Sequence, residues 1–149
     1  MPEKETLERA RKDEREGKSR STQAGEFVRE EMEHIREGEH GARSAKQAIA
    51  IGLSKARRAG VKLPRPEKGT TSKKVRRQAK RDVKRSKSRK KPSPTRSRAA
   101  KRRLKKEPRS AASHRALSRQ AHAAARKRTK ADRSRAAKKA AATRKKKKR

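Results

Sequence analysis

Of 149 residues, 53 are Lys or Arg and 16 are Asp or Glu, giving a formal net charge of +37, while only 26% are hydrophobic, with one Phe and no Trp or Tyr. So little apolar area cannot offset the roughly 1–2 kcal/mol of backbone entropy that each ordered residue costs, so at most one small folded unit is expected. The lack of Cys excludes disulfides, thiolate metal sites and thiol nucleophiles, and the longest apolar run, Ala48 to Leu53, falls far short of a membrane span.

The first segment, MPEKETLERARKDEREGK, lacks the apolar centre of a secretory signal, and a soluble intracellular protein is the expectation. Residues 1–20 read as a charged segment with helical leanings. Glu5 with Arg9 and Glu8 with Lys12 are pairs four apart, each worth only about a few tenths of a kcal/mol.

From Thr22 the pattern turns helical, because Ala24, Phe27, Val28, Met32 and Ile35 gather into one stripe. Thr22 is the expected N-cap, Glu26, Glu30 and Glu31 lie toward the positive end of the dipole, and Gly38 can close the helix in a left-handed turn. A second helix is expected from Ser44, capped with Gln47, on a stripe of Ala45, Ala48, Ile49, Gly52, Leu53 and Ala56. Gly60 and Pro64 end it. The short GEHG connection makes the two helices, about 22–37 and 44–59, antiparallel neighbours. The fold class expected is therefore mostly α: a small helical hairpin with Phe27, Val28, Met32, Ile35, Ala48, Ile49, Gly52 and Leu53 as its core. Val61 and Leu63 are candidates to fold back over its open end. A hairpin this small is marginal as a monomer. Ile51, off the main stripe, offers a second seam for Leu7 and Ala10 or for another copy, which would make a homodimer through the hairpin.

The stretch VREEMEHIREGEH, residues 28–40, is acidic in a basic chain. Its carboxylates read first as a solvated helix face, with Glu30 beside His34 and Glu33 beside Glu37 as surface neighbours. A sharper reading pairs this face with the basic second helix or the basic tail. Glu31 with His34 and Glu37 with His40 also match E-x-x-H, the two-ligand spacing of carboxylate metal bundles. The second pair straddles Gly38, and no further pair of helices completes the ligand set, so no metal and no cofactor are expected.

Beyond LPRPEKGTTS, a linker over 64–72, the polymer changes. Residues 1–66 hold 16 basic and 12 acidic side chains, a net of +4, whereas residues 67–149 hold 37 basic and 4 acidic ones, a net of +33. The hexapeptide RSRAAK occurs at 96–101 and again at 133–138, a low-complexity theme rather than a stacking repeat. Arg96–Lys106, Ser110–Arg128 and Lys130–Lys145 are candidate helices, but like charges oppose the compact state, and the tail over 73–149 is expected to be largely disordered or conditionally helical. His114 and His122 read as polar spacers.

The tail's cations point to phosphate, because each neutralised phosphate of a duplex releases condensed counterions. The expected contacts are Lys73, Lys74, Arg76, Arg77, Lys80, Arg81, Lys84, Arg85, Lys87, Arg89, Lys90 and Lys91 in the first stretch. Arg96, Arg98, Lys101, Arg102, Arg103, Lys105 and Lys106 follow, then Arg115, Arg119, Arg126, Lys127, Arg128, Arg133, Arg135, Lys138 and Lys139. The end, Arg144, Lys145, Lys146, Lys147, Lys148 and Arg149, completes the set. With cations all around each candidate helix, no face is kept for base edges, so binding should be independent of base sequence. Ser93-Pro94-Thr95-Arg96 fits an S/T-P-x-basic turn suited to a narrow A·T-rich minor groove. Scarce aromatics disfavour single strands.

The block STQAGEFVREEMEHIREGEHGARSAKQAIAIGLSKARRAGVKLP resembles a small uncharacterised bacterial domain of basic proteins, and KPSPTRSRAAKRRLKKEPRSAASHRALSRQAHAAARKR resembles the tails of its relatives. The resemblance spans about Ser21 to Arg128 and implies a bacterial source and labels such as DNA-binding or plasmid-associated, without catalytic residues. The tail is also loosely similar to bacterial linker-histone-like DNA-binding proteins. Together these readings lead to a non-enzymatic, nucleoid-associated polycation of the bacterial cytoplasm that neutralises and compacts duplex DNA, with no membrane partner. Two alternatives stay open: a structured-RNA, ribosome-associated or polyphosphate-binding protein, and a protein-interaction hairpin anchored by the tail.

Overall fold

The computed structural model describes residues 2–66, 69, 71–88 and 93–147. It is mostly α, with α1 Lys4–Arg15, α2 Arg20–Glu37, α3 Ala45–Arg58, α4 Lys73–Ser86, α5 Pro94–Lys105, a 3₁₀ turn Arg109–Ala112, α6 His114–Arg126 and α7 Lys130–Lys147. Residues 1–113 and 114–149 form two compact units, and the first holds the core.

Local chemistry sets where α2 and α3 begin and end. Ser19, not Thr22, caps α2: its hydroxyl accepts from the Thr22 N–H at 3.3 Å, and the Gln23 amide donates back to the Lys18 carbonyl, so the helix starts two residues before the expected position. Gly38, at φ 85°, ends it. Ser44 caps α3 by accepting from the Gln47 N–H at 3.2 Å, while Gln47 Oε1 accepts from the Arg43 N–H, one residue further back than a standard capping box reaches.

The two helices meet where α3 has no side chain. A Cβ on Gly52 would lie 2.7 Å from Val28 Cα and 3.0 Å from the Phe27 carbonyl, so only glycine admits this approach. Phe27, Met32, Ile35 and Ala48 are buried, and Val28, Ile49 and Leu53 are partly covered. One cluster joins Ala10 of α1 to Ala24, Phe27 and Ala56, with Leu7, Leu53, Val61 and Leu63 packed against it. The seam for Leu7 and Ala10 thus lies on the Phe27 side, while Ile51 stays half-buried. The helix pair does not stand alone.

The tail departs most from expectation. Helix α4, which periodicity did not single out, packs on α3 and buries Ala79 and Asp82. Residues 104–112 close over the α2–α3 connection: Gly41 N–H donates to the Leu104 carbonyl at 2.8 Å, Ala42 N–H to the Pro108 carbonyl at 3.1 Å, and Arg36 Nε to the Ala112 carbonyl at 3.0 Å. Ala111 and Ala112 are buried as a result. The described tail is helical rather than largely disordered. The reason is visible for 73–113, where small buried residues dock α4 and the 3₁₀ turn on α2 and α3. The expected Ser93–Arg96 turn is instead the opening of α5, with Pro94 as its first residue, where a fixed φ suits the helix and the missing N–H is no loss.

In the second unit, α7 begins at a Thr129 cap, with Asp132 N–H donating to Thr129 Oγ1 and Thr129 Oγ1 donating to Asp132 Oδ2. Its residues are exposed from Lys130 to Lys145 apart from a half-buried Asp132. Helix α6 has Ala116, Leu117 and Gln120 partly covered, with His114 and His122 exposed.

Two glycine substitutions separate core from latch. Gly52→Ala should lower global stability by about 1–3 kcal/mol through overpacking, read as a drop in the urea midpoint. In Gly41→Ala the new methyl would run into the Glu107 carbonyl. That variant should lose hydrogen-exchange protection at Ala42 and across 104–112 while the Phe27 cluster stays protected.

Candidate nucleic-acid interface

Docking α4 on α3 sorts its side chains by face. Ala79 and Asp82 turn inward, and Lys73, Lys74, Arg77, Lys80, Arg81, Lys84 and Arg85 are exposed, with Arg76 half-buried. Asp82, buried at 1% exposure, is held by Gln78 Nε2 at 3.0 Å and by Arg58 Nε at 3.9 Å. Burial lowers the pKa of Arg57 despite the opposing charge of Asp82. The one acid of α4 thus faces the body of the protein and its cations face away.

The other expected contacts distribute as follows. Lys87 is exposed at the C-terminal cap of α4, and Ser93, Pro94, Arg96, Arg98, Lys101, Arg102, Arg103, Lys105 and Lys106 are exposed on or beside α5. In the second unit Arg115, Arg119, Arg126, Lys127, Arg128, Arg133, Arg135, Lys138, Lys139, Arg144 and Lys145 are exposed. Lys146 and Lys147 continue α7, and Arg89, Lys90, Lys91, Lys148 and Arg149 lie outside the described residues. Two groups converge. Lys73, Arg76, Arg77 and Lys80 share a shallow depression with Arg65 and Pro66. Arg85, Arg96 and Lys101 line an open cleft of about 660 Å³ whose other wall carries Lys55, Arg58, His34 and His40. Sequence reasoning missed Arg58 and Arg65, because both precede the point where the net charge jumps.

Behind that cleft lies a buried acidic centre, which corrects the reading of VREEMEHIREGEH as a solvated face. Glu30 and Glu31 are 1% and 0% exposed. Lys55 Nζ, from α3, lies 2.9 Å from Glu30 Oε1 and 2.9 Å from Glu31 Oε2, and Glu30 Oε2 accepts from the Glu3 N–H at 3.2 Å. Burial pushes the Glu30 carboxyl up, but the Lys55 and Glu3 hydrogen bonds outweigh it and hold the group below its ordinary range. Burial likewise pulls Lys55 down, and its bonds to Glu31 and Glu30 leave it raised. His34 Nε2 lies 3.0 Å from Glu3 Oε1, and His40 Nε2 3.4 Å from Glu31 Oε1. Only part of the stretch stays wet: Glu33 is half-buried and pairs with Arg29 on its own helix at 3.0 Å, and Glu37 is exposed. Glu26 reaches Arg9 of α1 at 2.8 Å.

Residues 6–68 match the model of a family of unknown function, DUF6496. The match therefore begins within the first turn of α1, takes in α2 and α3, and ends before α4. No curated protein and no solved structure matches the chain. No described helix is long and apolar enough to cross a membrane.

Lys55→Met should cost about 3–5 kcal/mol, since it leaves two buried carboxylates without their ammonium. Arg29→Met, which removes the exposed pair with Glu33, should cost under about 1 kcal/mol. Denaturant melts of the two variants side by side check the contrast.

Proposed function

We propose that this chain is a non-enzymatic polycation that binds duplex DNA through its phosphates, independently of base sequence, and neutralises and compacts it. The carrying observation is the sorting of charge in the tail: the described Lys and Arg side chains of α4 to α7 are exposed except the half-buried Arg76, while Asp82 is turned inward. Residues 67–113, net +18, lie within the first compact unit, and residues 114–149 add a net of +15. The interface would therefore draw on cations held by a folded first unit and on those of the helices in residues 114–149, rather than on a featureless tail.

Phosphate neutralisation is the driving step. Cations standing on helices already spaced by the backbone lose less freedom on binding than cations on a loose chain, and each contact releases counterions from the duplex. On α7 cations are spread around the helix with no apolar stripe, so no face is reserved for the groove floor and base edges are not read. Without apolar packing to sustain it, the helix content of α7 in free solution depends on relieving its own repulsion, and DNA supplies that relief. The α2–α3 hairpin serves as the body that presents the cations, and in a bacterial cell the protein would sit on the nucleoid.

A salt series tests this reading. Full-length protein should bind random duplex with log K falling linearly in log salt, by about 0.9 per phosphate neutralised. Changing Lys130, Arg133, Lys138 and Lys139 together to Gln should shallow that slope by the same increment per lost contact, equally on A·T-rich and G·C-rich duplexes, with less helix gained on DNA addition by circular dichroism. Stronger binding to structured RNA or polyphosphate at equal phosphate concentration would overturn the DNA assignment, and a slope near zero would overturn the electrostatic one.

A further inference from the structure

The buried centre behind the cleft is one positive charge short. Glu30 and Glu31 bring two carboxylates out of water, and among the described residues the single ammonium reaching them is Lys55, shared between Glu30 Oε1 and Glu31 Oε2. Glu31 Oε1 accepts no hydrogen bond. Leaving a carboxylate charge uncompensated at 0% exposure costs several kcal/mol, so the site calls for a further cation.

The neighbouring imidazoles show where that cation belongs. His40 Nδ1 lies 3.1 Å from the Gly41 carbonyl, which can only accept, so Nδ1 carries the hydrogen. In a neutral ring, Nε2 then turns a lone pair toward Glu31 Oε1 at 3.4 Å, acceptor against acceptor. That separation is long for a charge-assisted hydrogen bond, and it is close to the edge of a tetrahedron with bonds of about 2.0–2.1 Å, roughly 3.4 Å. His34 completes the group: ligand atoms of Glu31, His34 and His40 all lie within 4.8 Å of one another. Glu3 Oε1, 3.0 Å from His34 Nε2, holds a hydrogen there and leaves Nδ1 as the bare nitrogen, 3.7 Å from Glu39 Oε2. A carboxylate on the far nitrogen is the usual support of a metal-bound imidazole.

We propose that Glu31, His34 and His40 form a site for a first-row divalent transition ion, Zn²⁺ foremost, with Glu39 or water as fourth ligand and Glu3 as the positioning residue for His34. Two imidazole nitrogens and a carboxylate suit Zn²⁺ better than Ca²⁺ or Mg²⁺, which favour all-oxygen shells. The cleft lined by Glu3, His34, Glu39 and His40 is the entry path. Arg58, Arg85, Arg96 and Lys101 also line that cleft and repel an entering cation, so affinity rests on the ligand set, not on the surrounding field. Neither E-x-x-H pair forms the site by itself. Glu31 and His34 come from one, His40 from the other, and Glu37 of that second pair is exposed. The bound ion would pin the connection after Gly38 onto α2, just before the residues that receive the Leu104 and Pro108 carbonyls.

The test uses full-length protein stripped with a chelator and titrated with Co²⁺, then Zn²⁺. One Co²⁺ per chain should bind with the strong visible absorption of a tetrahedral site, Zn²⁺ should displace it, and Zn²⁺ should raise the melting temperature. His34→Ala and His40→Ala should each weaken binding at least about 10-fold. Glu3→Gln should weaken it about 10–100-fold with the tetrahedral spectrum retained. Glu37→Gln and the double variant His114→Ala, His122→Ala should bind like the parent. If His40→Ala loses helix content, His40→Gln decides by the same criterion. No binding at millimolar free Zn²⁺, binding that survives loss of His40, or binding that vanishes with His114 and His122 would each overturn the proposal.

Discussion

Two carboxylates buried beneath one ammonium constrain the whole first unit. Glu30 and Glu31 cannot be taken out of water unless Lys55 reaches them, and Lys55 can reach them only if α3 lies against α2 closely enough for Gly52 to touch Val28. The apolar cluster around Phe27 supplies association but little direction, since it is built largely from alanines and half-buried aliphatics. The ion network supplies direction, because it is satisfied in few arrangements. In a chain so poor in apolar area, a polar centre takes over part of the task of specifying a unique packing that a larger core would perform.

In the first unit Asp13, Glu30, Glu31 and Asp82 are buried while most Lys and Arg stay exposed, so the charges are put to different tasks. The acids of the first unit form short-range pairs, Glu26 with Arg9, Asp13 with Lys18 and Asp82 near Arg58. The unpaired Lys and Arg are left to act at longer range. A body of this kind repels itself, and salt or polyanion relieves that strain. On α4 both arrangements meet in a single helix, with Ala79 and Asp82 buried and its cations mostly exposed.

Much of the architecture was legible because it rests on short-range rules. The α2 stripe, the α3 stripe, the Ser44 cap and the stop at Gly38 are all local. Helix α4 was not: Ala79 and Asp82, three apart among eight cations, look like accidents of composition until α3 is laid beside them. Burial of Glu30 and Glu31 was equally hidden, since carboxylates on a helix are solvated as a rule and their partner lies more than twenty residues away. Of the two E-x-x-H pairs, Glu31, His34 and His40 come together and Glu37 does not, because helical periodicity says nothing about a side chain beyond the turn at Gly38. At Ser93–Arg96, proline had two local readings, turn and first helical residue, and only the chain after it could choose.

The bond from Arg36 to the Ala112 carbonyl spans 76 residues of sequence. Helical proteins usually assemble from near neighbours and fold quickly, but here the covering piece of the first unit is among its last residues to be synthesised. A nascent chain that has displayed α2 and α3 still leaves the connection at Gly41 and Ala42 uncovered until residues 104–112 emerge. During that interval the intervening stretch, 67–103, already carries most of the unit's net positive charge. The closing of this fold therefore waits on a stretch whose like charges repel one another and oppose the compact state.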